Sequence, residues 1–411
     1  MTKLRLRPVI FLTIINIIGF ILLYLYRSPF DLNMLYAGLL LCGINIAIYF
    51  MMYFTSMGDA YLYLMSSMLV SIGLIMLFRI DLDYGNKQMI WFFIGIIIFL
   101  ASYLVIRFFK FFHKLTFFFI ALTFCMFVAT LVFGEEVNGS KNWIRIGGFG
   151  FQPSELIKII FSFTLACFFS NNQPKLKIFE KKFIGISYKD WALFAYVYMC
   201  LGFLVLQREW GTAVLFFLVY ITTLVLYDAQ IKLLLLNVGL AIIGGTGGYF
   251  FTSHIKSRVD VWRDPWADVS GKGYQITQSL FAIFSGGYFG TGLGNGNPHF
   301  IPEVHSDFIF SAICEEMGVF TGIAIIMMYF IFSYRGIKIS LGAGNEFYKS
   351  LSLILVICFA YQTFIIVGGV IKLIPLTGIT LPFVSYGGSS LVSSFILLGI
   401  MTAISYLEAK K

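Results

Sequence analysis

The sequence predicts an all-α protein that crosses a membrane about twelve times. Three observations predict it. Of the 411 residues, 59% are hydrophobic and 12% are charged, with a mean hydropathy of +0.88; a water-soluble domain of this size does not read that way. The apolar residues fall in long continuous runs of the roughly 20 residues a membrane helix needs. The short alternating strands of a closed β-barrel, the other structure that can span a bilayer, are absent. Lys and Arg are divided unevenly between the connecting segments, as in a polytopic protein.

The first run, 8–26, follows Lys3, Arg5 and Arg7 as a signal peptide would. No small-residue cleavage site closes it; Tyr24, Tyr26 and Arg27 stand there, so it reads as an uncleaved anchor. Runs 33–54, 62–79, 89–106 and 115–133 come next, then 154–170, which carries Glu155 and Lys158 inside it. Runs 190–206, 211–227 and 232–251 follow, and after a long polar interval 308–333, 350–371 and 386–407. With the N-terminus inside, 17 of the 29 basic residues lie on the inner side and 11 on the outer, with Lys158 within a span. That bias puts both termini in the cytoplasm, which an even number of spans requires. The net charge of +9 is mostly this topology signal. A nucleic-acid partner would need a basic patch on a soluble domain, and none exists. The six cysteines all fall in apolar runs, without zinc-site spacing or a partner in an outer loop, and read as packing residues.

The longest polar interval, 252–307, lies outside by this topology. Val261, Trp262, Trp266, Tyr274, Leu280, Phe281 and Phe284 argue against disorder in it, and loops of such length are usually functional. Its segment 274–285 reads as a short amphipathic or re-entrant helix, and Gly286–Gly296 supplies tight turns. The GK[ST] ending of a phosphate loop is missing. A second outer loop, 134–153, carries Lys141, Trp143, Arg145 and Pro153. The Lys-rich inner loop 171–189 is a topology anchor or a site of attraction to anionic lipid.

Asp307 stands where the Gly-rich loop enters the run at 308. An ionisable group at membrane depth marks a functional site by default; an N-terminal helix cap is the competing reading on spacing alone. Glu155 and Lys158, three apart, share a helix face, and read from spacing as a mutually neutralising ion pair. Lys141, Arg145, Lys256, Arg258 and Arg263 run against the positive-inside trend, either for an anionic ligand or as solvated charge offset by Asp260, Asp264 and Asp268. Trp262 and Trp266 either stack on a sugar or anchor at the interface. His299, His305 and Asp307 give only a weak metal signal, leaving a divalent cation (Mg or Mn) as an open option. Pro375–Ser390 breaks the helical pattern, and its hydroxyl residues Ser385, Tyr386, Ser389 and Ser390 suit a cavity lining.

Several segments carry a resemblance when taken in order. They are Asn138–Ile144 (NGSKNWI), Gln152–Lys158 (QPSELIK), Asp264-Pro265-Trp266, Gly273-Tyr274-Gln275, Gln278-Ser279-Leu280, Ser285-Gly286-Gly287, His305–Phe310 (HSDFIF), Pro375–Gly378 (PLTG) and Leu381–Ser390 (LPFVSYGGSS). Each is weak alone; in this order the chain resembles the SEDS glycosyltransferases (shape, elongation, division and sporulation) of the FtsW, RodA and SpoVE types, over roughly residues 65–407. The resemblance implies a ten-helix core, 58–411, preceded by a two-helix extension, 1–57, an anchor or partner surface. It implies a peptidoglycan polymerase working on lipid II and an undecaprenyl-diphosphate-linked glycan, outside the bacterial cytoplasmic membrane. Asp307 is then the general base, with Glu155 and Lys158 in the catalytic cavity. Lys141, Trp143, Arg145, Arg258, Arg263, Trp266, Gln275, His305, Ser385, Tyr386 and Ser389 would meet substrate. A class B penicillin-binding protein is the implied partner. A lipid II flippase and a non-catalytic scaffold are the alternatives. The chain departs from the family at Gln207-Arg208-Glu209-Trp210-Gly211-Thr212, where Pro and Asp usually occupy the second and third places. It also departs at Gly368-Gly369-Val370, where an Asn is missing.

Overall fold

In the computed structural model the described residues are 6–26, 32–137, 139–146, 149–170, 182–183 and 186–409. Of the residues used in the charge count, Lys3, Arg5, Arg27, Lys175, Lys177, Lys181, Lys410 and Lys411 lie outside them, as does Asn138 of the first motif. Fifteen α-helices run in order among the described residues. They are α1 (Leu6–Tyr26), α2 (Leu32–Thr55), α3 (Ala60–Ile80), α4 (Leu82–Phe108), α5 (Thr116–Phe133), α6 (Pro153–Phe169), α7 (Tyr188–Leu206), α8 (Trp210–Leu226), α9 (Ile231–Phe251), α10 (Ser253–Arg263), α11 (Tyr274–Gly286), α12 (Ile309–Met317), α13 (Val319–Gly342), α14 (Glu346–Val370) and α15 (Gly388–Ala409).

The protein is a nearly all-helical, multi-pass membrane protein. Ten of these helices are long and apolar enough to cross a bilayer. The two other expected spans, α6 and α8, are 17 residues each, so the expected count of twelve is not confirmed. The expected span at 308–333 is two helices. Gly318 separates α12 from α13 with φ +83 and lies against the backbone of residues 288–290, where a Cβ would come within 2.4 Å of the Tyr288 carbonyl oxygen. Only glycine fits both conditions. Caps set other helix starts: Asp59 accepts from Tyr61 N–H at 2.9 Å before α3, and Asn345 accepts from Phe347 N–H at 2.9 Å before α14. Pro153 opens α6, where its missing N–H costs nothing.

The interval 252–307 is largely folded, with α10 and α11, the latter over the segment expected to be helical, and short 3-10 turns at Pro265–Asp268 and Pro298–Phe300. Two small sheets were not anticipated. β1 (Glu135–Val137), β2 (Ser140–Ile146) and β3 (Phe149–Phe151) form an antiparallel sheet in the order β1-β2-β3, and β4 (Lys182–Phe183) pairs with β5 (Ile186–Ser187).

The chain divides into two units. The first comprises Met1–Arg107, Val269–Arg335 and Thr380–Lys411; the second comprises Phe108–Asp268 and Gly336–Ile379. In the first, α3 and α15 are buried along most of their length. Gly95 of α4 lies against the Phe395 ring and Gly399 of α15 against Ser102, so small residues let α4 and α15 approach closely. Helices α1 and α2 pack on each other and on α3 within this unit. In the second, α6 packs on α5 and α14. Phe161 stacks on Phe216 of α8 with centroids 4.3 Å apart. The apolar side chains left exposed, such as Phe11, Ile18, Leu39, Phe117 and Leu235, suit a lipid solvent, which is as apolar as they are.

Candidate functional site

Asp307 sits in a main-chain turn rather than in a helix. The N–H groups of Ser306 and Asp307 both donate to the Glu303 carbonyl, at 3.2 and 3.1 Å. Glu303 itself has φ +55, an uncommon conformation for a non-glycine residue. The next helix, α12, has Phe308 at its N-cap position, without a side-chain cap bond, so Asp307 precedes the position a capping residue would take. The turn is fastened from several sides within the first unit. Ser385 Oγ donates to the Ser306 carbonyl at 2.6 Å, and Tyr386 N–H donates to the His305 carbonyl at 2.9 Å. Gln88 of α4 donates to the Ser385 carbonyl at 3.2 Å and accepts from Gly387 N–H at 3.3 Å.

His305 is held by its ring. It stacks on Tyr84 with centroids 4.2 Å apart and planes 8° from parallel, and meets Tyr386 edge-on at 5.5 Å. Burial lowers the His305 pKa, against the opposing pull of the Glu303 carboxylate, whose Oε2 is 3.7 Å from Nε2. The imidazole is therefore biased to the neutral form. The structure thus brings His305, Ser385 and Tyr386 to the Asp307 turn. Ser389 is buried in the first turn of α15. Gln275 is half-buried on α11. Asp307 is partly exposed and directly precedes the N-cap position of α12.

Glu155 and Lys158 lie in the second unit. Lys158 Nζ donates to Glu155 Oε2 and to Gln362 Oε1 of α14, both at 2.7 Å. The two charged side chains are only 10% and 8% exposed. A third buried carboxylate, Glu209, lies before α8. Its Oε1 accepts from Gln152 at 2.7 Å, Ser154 at 2.6 Å and Thr212 at 2.8 Å. Burial pushes its pKa up to about 7, against the lowering effect of those three donors. The same loop ties down β2: Lys141 N–H donates to the Gln207 carbonyl at 3.1 Å and Ser140 Oγ to the Arg208 carbonyl at 3.0 Å. Arg208 has φ +57, which proline cannot adopt. The departure from the family pattern is therefore a different backbone at this turn.

Other expected substrate contacts have protein partners. Arg145 pairs with Glu135 at 3.3 Å on the sheet surface. The Trp143 ring lies against Gly150 of β3. Arg258 donates to the Leu376 carbonyl at 2.6 Å. Arg263 and Trp266 are exposed. Among the described residues no three His, Cys, Asp or Glu side chains are gathered to hold a metal ion. Tyr84, Gln88 and Gln362 went unread in the sequence. Each is an ordinary-looking residue inside a helix, and only the fold discloses its partner.

The model of the FtsW/RodA/SpoVE family, described as a cell cycle protein, matches residues 51–410. The chain is 35% identical to the peptidoglycan glycosyltransferase RodA of Mycobacterium tuberculosis (strain H37Rv), over 83% of this chain and 76% of that protein. It is 32% identical to stage V sporulation protein E of Bacillus subtilis (strain 168), over 84% of this chain and 96% of that one. Among solved structures, it matches a chain described in work on polymerization and crosslinking by a peptidoglycan synthase complex, with TM-score 0.69, 21% identity, and 86% and 99% of the two chains covered. The rod shape determining protein RodA of Thermus thermophilus matches with TM-score 0.60 and 22% identity, over 85% and 96%. The motif order read from the sequence and these matches agree: the chain belongs to the FtsW/RodA/SpoVE family.

Proposed function

We propose that the protein is a peptidoglycan glycosyltransferase that polymerises lipid II into β-1,4 glycan strands at the outer face of the bacterial cytoplasmic membrane. The observation that carries the reading is the Asp307 turn, a partly exposed carboxylate fastened through main-chain bonds to Ser385 and Tyr386, in a chain whose relatives include proteins named peptidoglycan glycosyltransferases. The donor is the growing glycan on undecaprenyl diphosphate and the acceptor is lipid II. Asp307 takes the proton from the acceptor sugar 4-hydroxyl as that oxygen attacks the donor anomeric carbon. The bond from that carbon to the diphosphate breaks, and its configuration inverts. A base in this role supplies about 10²–10⁴-fold in rate. His305 and Tyr386, with Tyr84, shape the wall beside it, and Ser385 fixes the turn. Lys158, with Glu155 and Gln362 taking two of its three donors, offers a point charge for a lipid diphosphate. Lys141, Trp143, Arg145, Arg258, Arg263, Trp266, Gln275 and Ser389 are the further substrate contacts in this reading. Residues 1–57 form an extension before the catalytic core.

A class B penicillin-binding protein is the proposed partner, supported by the similarity to a chain from a peptidoglycan synthase complex. Purified protein incubated with lipid II in detergent should yield glycan polymer. A flippase or a scaffold yields none, so absence of polymer, with and without that partner, would sink the reading. The orientation, with both termini cytoplasmic, is supported by the Lys and Arg bias. A cysteine at Lys272 should react with an impermeant reagent on intact cells and one at Lys110 should not; the reverse pattern would invert the topology.

A further inference from the structure

The Gly-rich segment between α11 and α12 is folded onto the carboxylates at the end of α12. Glu316 Oε2 accepts from Gly294 N–H at 2.9 Å and Glu315 Oε1 from Asn297 N–H at 2.8 Å. The main-chain carbonyls of Glu315 and Glu316 accept from Thr291 and Gly292 N–H at 2.9 and 3.0 Å. Arg79, in the last turn of α3, faces Glu316 with Nε 3.0 Å from Oε1, the two side chains being 9% and 0% exposed. The same guanidinium donates to the carbonyls of Gly294 and Gly296, at 2.8 and 3.1 Å. One cation therefore joins α3, α12 and the loop between α11 and α12.

Tyr26, the last residue of α1, covers this junction. Its ring centroid is 5.0 Å from Arg79 Cζ. The ring also lies flat against Gly294, where a Cβ would come within 2.5 Å of Cδ2 and where φ is +97. Position 294 is therefore closed to any side chain twice over, by its backbone and by Tyr26. Yet Tyr26 lies outside the part of the chain that the family model matches, 51–410.

We propose that Tyr26 is a positioning residue through which the α1–α2 extension clamps the loop 291–297 and, through that loop, the approach to the Asp307 turn. The loop has glycines at positive φ at 292 and 294, with a third just before it at 290, and so little stiffness of its own. Its shape depends on what holds it from outside. The ring shields the Arg79–Glu316 pair from water, which strengthens that pair, and adds a cation–π attraction to Arg79. The consequence for catalysis rests on Asp307 being the base; the clamp itself does not.

The test uses the full-length protein in detergent. Tyr26→Leu removes the aromatic face from a half-exposed position, and Tyr26→Phe keeps it. In hydrogen exchange, the Leu variant should exchange faster than wild type in peptides covering 290–308, and the Phe variant should match wild type. In lipid II polymerisation at matched amounts, the Leu variant should lose roughly two- to fivefold in kcat with KM little changed, as expected for one such contact, with rescue by Phe. Wild-type exchange in the Leu variant would overturn the clamp. So would a Phe variant as impaired as Leu, which would assign the effect to the hydroxyl. Faster exchange with undiminished kcat would overturn the positioning role. If the wild-type protein makes no polymer at all, the functional reading fails instead, and the exchange data still decide the clamp.

Discussion

The Asp307 turn and the Glu155–Lys158 pair both set ionisable groups against apolar helices, but their surroundings answer the charge in opposite ways. Glu155 and Lys158 satisfy each other and Gln362 at 2.7 Å in a nearly closed environment. Asp307 is partly exposed, and the bonds that hold its turn are made largely by main-chain groups and by its neighbours His305 and Ser306. Burying two charges costs desolvation that their mutual attraction offsets only while both partners are in place. The place of Asp307 is set by the main-chain bonds of its turn. On the proposed function, the first unit supplies the base and the second a held charge.

The largest expected effect tests that assignment directly. Asn caps a helix about as well as Asp and keeps its shape, but it cannot act as a base. Asp307→Asn should fold, reach the membrane and lose polymerisation by roughly 10²-fold or more, read as lipid II polymer on gels at matched protein. Near wild-type product would remove Asp307 from the mechanism and move suspicion to Glu155.

The buried pair should respond in stability before activity. Lys158→Met alone strands the Glu155 carboxylate, which costs about 3–5 kcal/mol when a buried pair loses one partner and should lower the midpoint of thermal unfolding. Adding Glu155→Gln should recover most of that loss. If Lys158 also meets a diphosphate, the refolded double variant stays well below wild type in polymerisation. Full activity in the double variant would reduce the pair to neutralisation and make the contrast with Asp307 complete.

The parts legible in the sequence were those written in one-dimensional pattern. Every expected span but 308–333, which is two helices, corresponds to one helix, because runs of about 20 apolar residues leave few other structures open. The pairing of Glu155 with Lys158 followed from a spacing of three. The break at Gly318 follows two acidic residues, Glu315 and Glu316, inside the expected run; what fixes it there is the backbone of residues 288–290, which Gly318 meets. The β1–β2 hairpin did carry a local signal, the Asn138-Gly139 dipeptide with Gly139 at φ +80. That signal was read as part of a motif instead of as a turn. Tyr84, Gln88, Gln362 and the carboxylates of Glu315 and Glu316 act through partners from far along the chain, which no periodicity announces.

The smallest expected effect concerns Glu209, a buried carboxylate of a third kind, since it has donors but no cation. Three hydrogen bonds hold one of its oxygens, yet burial lifts its pKa from 4.5 to about 7. The folded state therefore binds this proton more tightly than the unfolded chain does. Its ionisation costs nothing below the ordinary carboxylate range, and the cost accumulates as pH rises through the interval up to about 7. The full cost is on the order of 3 kcal/mol. Thermal unfolding in detergent should show the midpoint falling between about pH 4.5 and 7, and Glu209→Gln, which carries no charge at any pH, should flatten that fall. An equal slope in the Gln variant would mean that Glu209 is already ionised when folded. Its three donors would then suffice without a cation, and the contrast drawn between the Asp307 turn and the Glu155–Lys158 pair would no longer follow from burial alone.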